Sequence, residues 1–232
     1  MQNKYAGFIK SLRLRKNLSQ EDVAVAIEVS RPTYVAIEKG TKQLTFDEAK
    51  RIAGYFDVTL NDLLEGGNYR EQKYKQMIFS FLRKAKTSGK DIKKTKLAKL
   101  LYFADFGNYF FFDESMSTLQ YRKIEFGPVP DEYFRIMQEL EDNSLIKISH
   151  ELRSDGKYMY SISDTVVSSK IDLAMISKEE DKLIQKIWDK WQNTNTDEIV
   201  NYTHLQSPYR KTDFGHIIPY ELIKDEDKTN VF

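Results

Sequence analysis

Asp105 and His204 are the two residues of this 232-residue chain whose types suit general acid–base chemistry, because a carboxylate that orients an imidazole makes a general base. No serine stands in a nucleophile-elbow sequence, and cysteine is absent. The chain also lacks a phosphate-cradling glycine loop and a set of ligands at metal-binding spacing. We therefore predict a binding protein, not an enzyme, with no metal and no cofactor. Asp105 is expected to cap a helix or to form a hydrogen bond at a helix end, and His204 is expected to be a hydrogen-bonded histidine of the core or its rim.

Two serines near the N-terminus mark the starts of two short helices. Ser19 and Ser30 each precede an apolar pattern of helical spacing, and serine is a preferred N-cap because its hydroxyl accepts a hydrogen bond from the first turn. Pro32 suits the first turn of the second of these helices, and Gly40 ends it. The pattern predicts two helices joined by a tight turn, an arrangement that places the second helix in the major groove of DNA.

Five polar residues of this motif are placed to contact DNA. Gln20 begins the first of the two helices, and the N-terminus of a helix is a site where phosphate binds. Arg31 lies on the leading edge of the second helix and is predicted to read a base. Further contacts are expected from Ser30, Thr33 and Lys39.

The five short helices predicted for residues 1–66 resemble the Cro/cI-like (XRE) helix-turn-helix family. Glu28 stands where the family usually has glycine in the turn, so a positive φ is expected there at some cost in strain. By the resemblance, Pro32 and Ala36 also face bases, but neither side chain can donate a hydrogen bond. We expect a homodimer on operator DNA, because one recognition helix spans too few base pairs to be specific. A domain that mainly mediates dimerisation stays open as the alternative.

The charge of the chain is divided into three parts. The net charge is +1 overall, whereas residues 1–66, 67–99 and 100–232 carry +1, +9 and −9. We expect the basic segment to be the solvated face of a helix that packs beside the acidic remainder, and contact with nucleic acid is the alternative. No apolar run is long enough to cross a bilayer, and the first residues lack the apolar stretch of a signal peptide. A cytoplasmic protein without a membrane partner is therefore expected.

A glycine-rich break at residues 66–68 predicts a boundary between two domains. Beyond it, a helix over residues 131–143 precedes two strands at 145–150 and 157–162, and helix followed by hairpin resembles the wing of a winged helix. The predicted fold class is mainly α, with a five-helix DNA-binding domain followed by an α+β domain of helices and a small antiparallel hairpin. The predicted parts are residues 1–66 for the DNA-binding domain, 67–72 for a linker, 73–222 for the second domain and 223–232 for a polar C-terminal tail.

Three motifs of the second domain occur together in a known family. They are the run from Lys99 to Asp105, the loop from Phe126 to Pro130, and Thr203-His204 followed by Ser207-Pro208-Tyr209. In this order and spacing they resemble the Panacea domain, also called SocA-like, over roughly residues 73–222. Tyr209 departs from the family, which usually has tryptophan there. Such domains serve as antitoxins that bind and silence diverse toxins encoded beside them, and one branch resembles a proteolysis adaptor.

Together the two resemblances imply the antitoxin of a type II-like toxin–antitoxin pair. Its second domain would bind a protein toxin encoded nearby, and its first domain would repress the shared operon. The alternatives are a transcriptional regulator whose second domain senses a ligand or a partner, and a proteolysis adaptor. Exposed aromatic residues anchor protein interfaces, and the toxin is therefore expected to contact the two aromatic motifs. The predicted contact residues are Tyr102, Phe106, Tyr109, Phe126, Pro128 and Val129.

Overall fold

The computed structural model describes residues 4–56, 58, 60–64, 66, 69–152, 156 and 158–232. The chain forms two compact units, Met1–Gln72 and Lys73–Phe232. Most of the described residues are helical, and strands occur only in the second unit, as the predicted fold class requires. None of the helices within these ranges has the length and apolar character to span a membrane.

The first unit is a set of short helices around one apolar core. Val23, Tyr34 and Ile52 are fully buried in this core, because apolar residues recur at helical spacing on each helix. In the described residues the helices are α1 (Lys4–Arg15), α2 (Gln20–Ala26), α3 (Arg31–Glu38), α4 (Phe46–Phe56) and α5 (Leu60–Leu64).

Local side-chain chemistry sets the boundaries of α2 and α3. The Ser19 hydroxyl accepts a hydrogen bond from the Asp22 backbone N–H, and the Asp22 carboxylate accepts one from the Ser19 N–H, which forms a capping box. The Ser30 hydroxyl accepts from the Thr33 backbone N–H, as predicted for an N-cap. Glu28, in the turn between the helices, has a φ of 55°, so the positive φ expected at this position is confirmed. The helix-turn-helix geometry therefore follows from residues within the motif itself.

The second unit is built around one long helix. Its described helices are α6 (Tyr69–Thr87), α7 (Lys94–Phe112), α8 (Tyr133–Asp142), α9 (Lys178–Trp191), α10 (Thr196–Leu205) and α11 (Ser207–Arg210). Every residue of α7 from Lys96 to Asn108 is buried. A helix that is covered on all sides is the centre of its domain, and α7 accordingly contributes to the core along most of its length.

Two small antiparallel sheets complete the second unit. The first sheet contains β1 (Ile92–Lys93), β4 (Ile146–Leu152) and β5 (Tyr158–Asp164), in the order β1-β5-β4. The second sheet is the hairpin of β2 (Tyr121–Ile124) and β3 (Gly127–Pro130). The predicted hairpin at residues 145–162 is thus observed as β4 and β5, and most of the turn predicted between them lies outside the described residues.

The basic segment packs beside acidic residues of the same unit. In Lys73 and Lys75 the side chains are buried although they are charged, and buried charges of this kind need a partner. The acidic partners lie on α8 and α9, as the predicted packing beside the acidic remainder requires, but the prediction of a solvated face is wrong for these two lysines. The ion pairs are Lys73–Glu180 at 2.8 Å, Lys75–Glu139 at 2.5 Å and Lys84–Asp181 at 2.9 Å.

The C-terminal segment is not the polar tail that we expected. Ile223, within a 3₁₀ turn at Tyr220–Asp225, and Val231, directly after a second turn at Lys228–Asn230, are fully buried in the core of the second unit. The Gln206 side-chain amide donates to the Val231 carbonyl at 3.0 Å, and the Phe232 ring lies against Gly107 of α7. Apart from Ile223, Val231 and Phe232 the segment is polar, and its composition therefore predicts a tail. These three residues nevertheless dock the segment, because α7 offers an apolar surface.

Candidate DNA-binding and partner-binding sites

The leading edge of α3 presents polar side chains to solvent. Ser30, Arg31 and Lys39 are exposed, and Pro32 occupies the first turn of the helix. The hydroxyls of Ser30 and Thr33 lie 2.8 Å apart, and Thr33 is half-buried. Four of the five predicted DNA-contact residues therefore cluster on or beside the recognition helix of a helix-turn-helix.

Arg31 is held only weakly within the protein. Its Nε lies 3.9 Å from a Glu21 carboxylate oxygen, and both side chains are mostly exposed. An exposed ion pair at this distance contributes little free energy, because water competes for both charges. The guanidinium can therefore leave Glu21 and donate to a base or a phosphate without a large cost.

Gln20 lies at the first position of α2, but its side chain has another partner. The Gln20 Nε2 donates to a Glu38 carboxylate oxygen at 3.0 Å. This contact ties the start of α2 to the end of α3, where Glu38 is buried. The structure thus gives the Gln20 amide a role inside the domain, and not the free side chain that a phosphate contact was predicted to use.

A buried ion pair joins the recognition helix to α1 and was not predicted from the sequence. Arg13 of α1 donates to both Glu38 carboxylate oxygens, at 2.6 and 3.1 Å. Burial alone would raise the pKa of Glu38, but the hydrogen bonds from Arg13 and Gln20 outweigh it and hold the pKa below its ordinary value. The one sequence signal is that Glu38 follows the inward-facing Tyr34 by four residues and shares its helix face. The pair orients α3 relative to α1.

In the second unit, Asp105 and His204 do not form a catalytic pair. The Asp105 carboxylate is fully buried and accepts hydrogen bonds from the Ser117 N–H and hydroxyl, each at 2.6 Å, and from the Tyr121 hydroxyl at 2.8 Å. Burial raises the pKa of Asp105 to about 6, against the opposing effect of these hydrogen bonds. Asp105 therefore holds the loop before β2 onto α7 from the middle of that helix, whereas a cap or a hydrogen bond at a helix end was predicted.

The loop between β2 and β3 is clamped by Lys99. The Lys99 Nζ is buried and donates to the Pro128 carbonyl at 3.1 Å. Gly127 has a φ of 93°, and a Cβ atom there would lie 2.7 Å from Lys99 Nζ and 3.0 Å from Thr203 Oγ1. Burial lowers the pKa of Lys99 to about 7. The three motifs that carry the Panacea resemblance thus meet at one point of the structure.

His204 lies at the rim of this cluster. Its ring stacks on Tyr209 at a centroid distance of 4.2 Å, and the Tyr209 hydroxyl donates to the Ile124 carbonyl at 3.0 Å. Burial, followed by the charges of Lys99 and Lys123, lowers the pKa of His204. The His204 ring packs at the rim, as predicted, but its buried Nε2 has no hydrogen-bond partner among the described residues, so the predicted hydrogen bonding is not observed there.

The structure corrects most of the predicted toxin-contact residues. The aromatic run of α7 was expected to supply exposed rings, but α7 is the central helix, and its rings pack on one another and on Tyr121 and Tyr220. Among the candidates, Phe126 is exposed, with 62% of its surface accessible. The others are buried or half-buried: Tyr102, Phe106, Tyr109, Pro128 and Val129.

An open pocket of about 350 Å³ lies between α6 and α9. Several of its polar groups are paired with one another, since the Trp188 Nε1 donates to the Ser88 hydroxyl at 3.2 Å and Lys84 pairs with Asp181, and the Arg83 Nε is the one buried lining atom without a hydrogen-bond partner among the described residues. Within the described ranges, no group of three or more His, Asp or Glu side chains is arranged to hold a metal ion. The pocket therefore presents no set of unpaired polar groups that would select a ligand.

Comparison with known families divides the chain as the structure does. The helix-turn-helix family matches residues 9–63, and the family described as antitoxin SocA-like, Panacea domain, matches residues 97–209. The first match covers α2 and α3 together with their turn, and the second covers the Lys99, Gly127 and His204 cluster. No solved structure matches the chain.

Three curated relatives match the N-terminal region. A cryptic phage CTXphi transcriptional repressor, RstR of Vibrio cholerae, is 33% identical over 60 residues, which are 26% of this chain and 54% of the relative. An uncharacterised HTH-type transcriptional regulator of Methanocaldococcus jannaschii is 42% identical over 55 residues, 24% of this chain and 83% of the relative. An uncharacterised HTH-type regulator of Bacillus subtilis, YqaE, is 33% identical over 58 residues, 25% of this chain and 50% of the relative. The match thus spans about half the length of two of these three proteins.

The fold and the site define a helix-turn-helix protein with a second, separate domain. The chain belongs to the family of HTH-type transcriptional regulators, and an antitoxin SocA-like Panacea domain follows the helix-turn-helix along the chain. Neither matched family is a family of enzymes.

Proposed function

We propose that this protein is an antitoxin that binds a protein toxin directly through its second unit and represses the shared operon through its first. The observation that carries the proposal is the joining, in one chain, of a regulator-type helix-turn-helix and an antitoxin-type domain as two compact units. The toxin is encoded beside the antitoxin gene, and both proteins act in the cytoplasm.

The DNA-binding half of the proposal rests on α3. Arg31 is exposed and weakly paired, and Ser30, Thr33 and Lys39 lie on or beside the same helix. Because one such helix reads few base pairs, the protein binds as a homodimer to two half-sites about one helical turn apart. RstR is a transcriptional repressor, and this favours repression as the outcome of binding.

The toxin-binding half rests on the match to the antitoxin family and on the rigidity of the second unit. Its signature residues hold the β2–β3 hairpin onto α7, so they build the domain and leave its outer surface to make contacts. A rigid surface binds a partner with little loss of conformational entropy.

The test is to express the protein together with the gene that adjoins its own and to score growth. Expression of the neighbouring gene alone is expected to stop growth, and co-expression of this protein to restore it. Copurification of the two proteins as a complex is the direct measure of binding. A neighbour that is harmless when expressed alone contradicts the proposal, and so does rescue without a complex. A complex that forms only with a protease and its client indicates an adaptor.

A further inference from the structure

The apolar face of the β4–β5 hairpin continues beyond the core of the second unit. In the register of the two strands, Tyr160 lies opposite His150, and Tyr158 lies opposite Leu152. Side chains alternate between the faces of a strand, so Tyr158 and Tyr160 share the face of Ile162, which is fully buried. The inner part of this face therefore packs on the core, while its outer part carries large apolar side chains into solvent.

Phe134, near the start of α8, extends this surface. The Lys94 Nζ lies 5.6 Å from the centre of the Phe134 ring and 6.0 Å from that of Tyr160, so the two rings border one surface. The His150 ring lies 5.4 Å from Tyr158. We call Lys94, Phe134, His150, Leu152, Tyr158 and Tyr160 the hairpin patch. The exposed fractions of its apolar residues are 56% for Phe134, 66% for Leu152, 57% for Tyr158 and 45% for Tyr160.

An aromatic surface of this kind is costly to leave in water. Single exposed apolar residues are normal, but a contiguous group marks a site of interaction. Phenylalanine and tyrosine are rigid and bury a large area, and they therefore supply many of the contacts that dominate binding between proteins. The hairpin patch has the composition of the centre of a protein interface.

The charge of the patch favours a protein partner over DNA. The element order α8-β4-β5 resembles a helix and wing, but a DNA-facing surface needs several cations against phosphates. As far as the structure describes the hairpin and the start of α8, Lys94 is the one cation of the patch. Among the described residues, Lys94 contacts aromatic rings and takes part in none of the observed ion pairs. A carboxylate on the partner would complement it.

We propose that the hairpin patch is the surface on which the toxin docks, with an apolar area of the toxin on the aromatic rings and a toxin carboxylate at Lys94. The inference rests on the proposed function, because the occupant is the protein encoded by the adjoining gene. It replaces the predicted contact residues of α7, which are buried or half-buried, with a set of residues that a partner can reach.

The experiment compares full-length variants for binding to the purified product of the adjoining gene by calorimetry. The double variant F134S/Y158S and the single variant Lys94→Glu are each expected to weaken binding at least about tenfold, since central aromatic and charged anchors dominate interface energetics. The matched controls are Phe214→Ser, an exposed phenylalanine outside the patch, and Lys147→Glu, whose register places it on the opposite face of the hairpin. Both controls are expected to bind within about twofold of the wild type.

The outcomes separate this inference from the proposed function. A wild-type protein that neither binds the neighbour-encoded protein nor restores growth overturns the function, and the docking surface with it. Wild-type binding that both patch variants retain overturns the docking surface alone. If the variants keep full affinity for the neighbour but dissociate a homodimer in light scattering, the patch is a self-association surface and the proposal is wrong. Weakened operator binding with unchanged toxin affinity likewise overturns it in favour of DNA.

A photocrosslinking residue gives a second readout that does not depend on affinity. Placed at position 158, it is expected to join the neighbour-encoded protein covalently, whereas the same group at position 214 is not. Equal crosslinking from both positions contradicts the assignment. Far-ultraviolet circular dichroism of every variant checks that the fold is retained.

Discussion

At the scale of single residues, Arg31 is the sharpest test of DNA recognition. Replacing it with alanine is expected to lower operator affinity by about 1–3 kcal/mol, because a base-reading arginine contributes that much and its pairing with Glu21 is weak. The measurement is a gel shift with the DNA upstream of the gene.

Arg31→Lys is the matched control for charge. Lysine keeps the positive charge but loses the two-pronged donor geometry of arginine. It should preserve the salt dependence of binding while reducing discrimination between operator and random DNA. If Arg31→Ala binds the operator as tightly as the wild type, Arg31 is not a DNA-contact residue.

The Arg13–Glu38 pair makes a second prediction at this scale, about pH. The pKa of Glu38 is lowered in the folded protein, so the pair stabilises the first unit above the ordinary glutamate pKa and loses this contribution as the pH falls through the folded value. Arg13→Met leaves the carboxylate buried and without its main partner, at an expected cost of about 3–5 kcal/mol near neutral pH.

The sign of the pH dependence should also reverse in Arg13→Met. Burial then dominates and raises the pKa of Glu38, so the first unit becomes less stable as the pH rises above about 4. Amide hydrogen exchange in α1 and α3 measures this, since both tryptophans, Trp188 and Trp191, lie in the second unit. A double variant R13M/E38L should recover most of the lost stability. If Arg13→Met is as stable as the wild type at pH 7, the pair does not order the domain.

At the scale of elements, the β2–β3 hairpin depends on the absence of a side chain at Gly127. Gly127→Ala must place a Cβ atom against the buried Lys99 and Thr203, and it must also adopt a positive φ. Gly156→Ala is the matched control, because Gly156 also has a positive φ, but its Cβ would meet nothing within 4 Å.

We expect Gly156→Ala to lower the free energy of unfolding by about 1 kcal/mol, because alanine disfavours a positive φ. Gly127→Ala is expected to lower it by at least about 1 kcal/mol more, because the added Cβ atom is crowded. Urea unfolding followed by tryptophan fluorescence reports on the second unit and checks both values. Equal losses of unfolding free energy in the two variants would mean that the Lys99 side chain moves to make room for the added Cβ atom.

At the scale of the whole molecule, the second unit is expected to bind the toxin without the first, which binds DNA. A fragment of residues 67–232 should neutralise the toxin by itself, because the second unit has its own extensive core and the family signature lies within it. The fragment of residues 1–66 should leave growth arrested. Co-expression of each fragment with the adjoining gene, scored by growth, gives the answer. A folded long fragment that fails to rescue would mean that the first unit contacts the toxin or supplies the dimer.

The sequence by itself determined the features that depend on near neighbours in the chain. The five helices of the first unit, the Ser19 and Ser30 caps and the positive φ of Glu28 are all set by interactions within a few residues, and each was predicted. The two family resemblances could likewise be recognised from the sequence, because they rest on residue types at fixed spacing.

Only the tertiary structure decided which apolar and charged residues are buried, because burial depends on which faces meet. Phe46 follows the spacing of the buried face of α4 and is nevertheless exposed at the start of the helix. Arg13 pairs with Glu38, 25 residues away in the chain, and Tyr102 and Phe106 are buried because other elements surround the middle of α7. The exposed rings of the hairpin patch come from α8, β4 and β5, and no local pattern distinguishes them from core residues. Interactions between residues far apart in the chain are set by the packing of whole elements, which a local pattern does not encode.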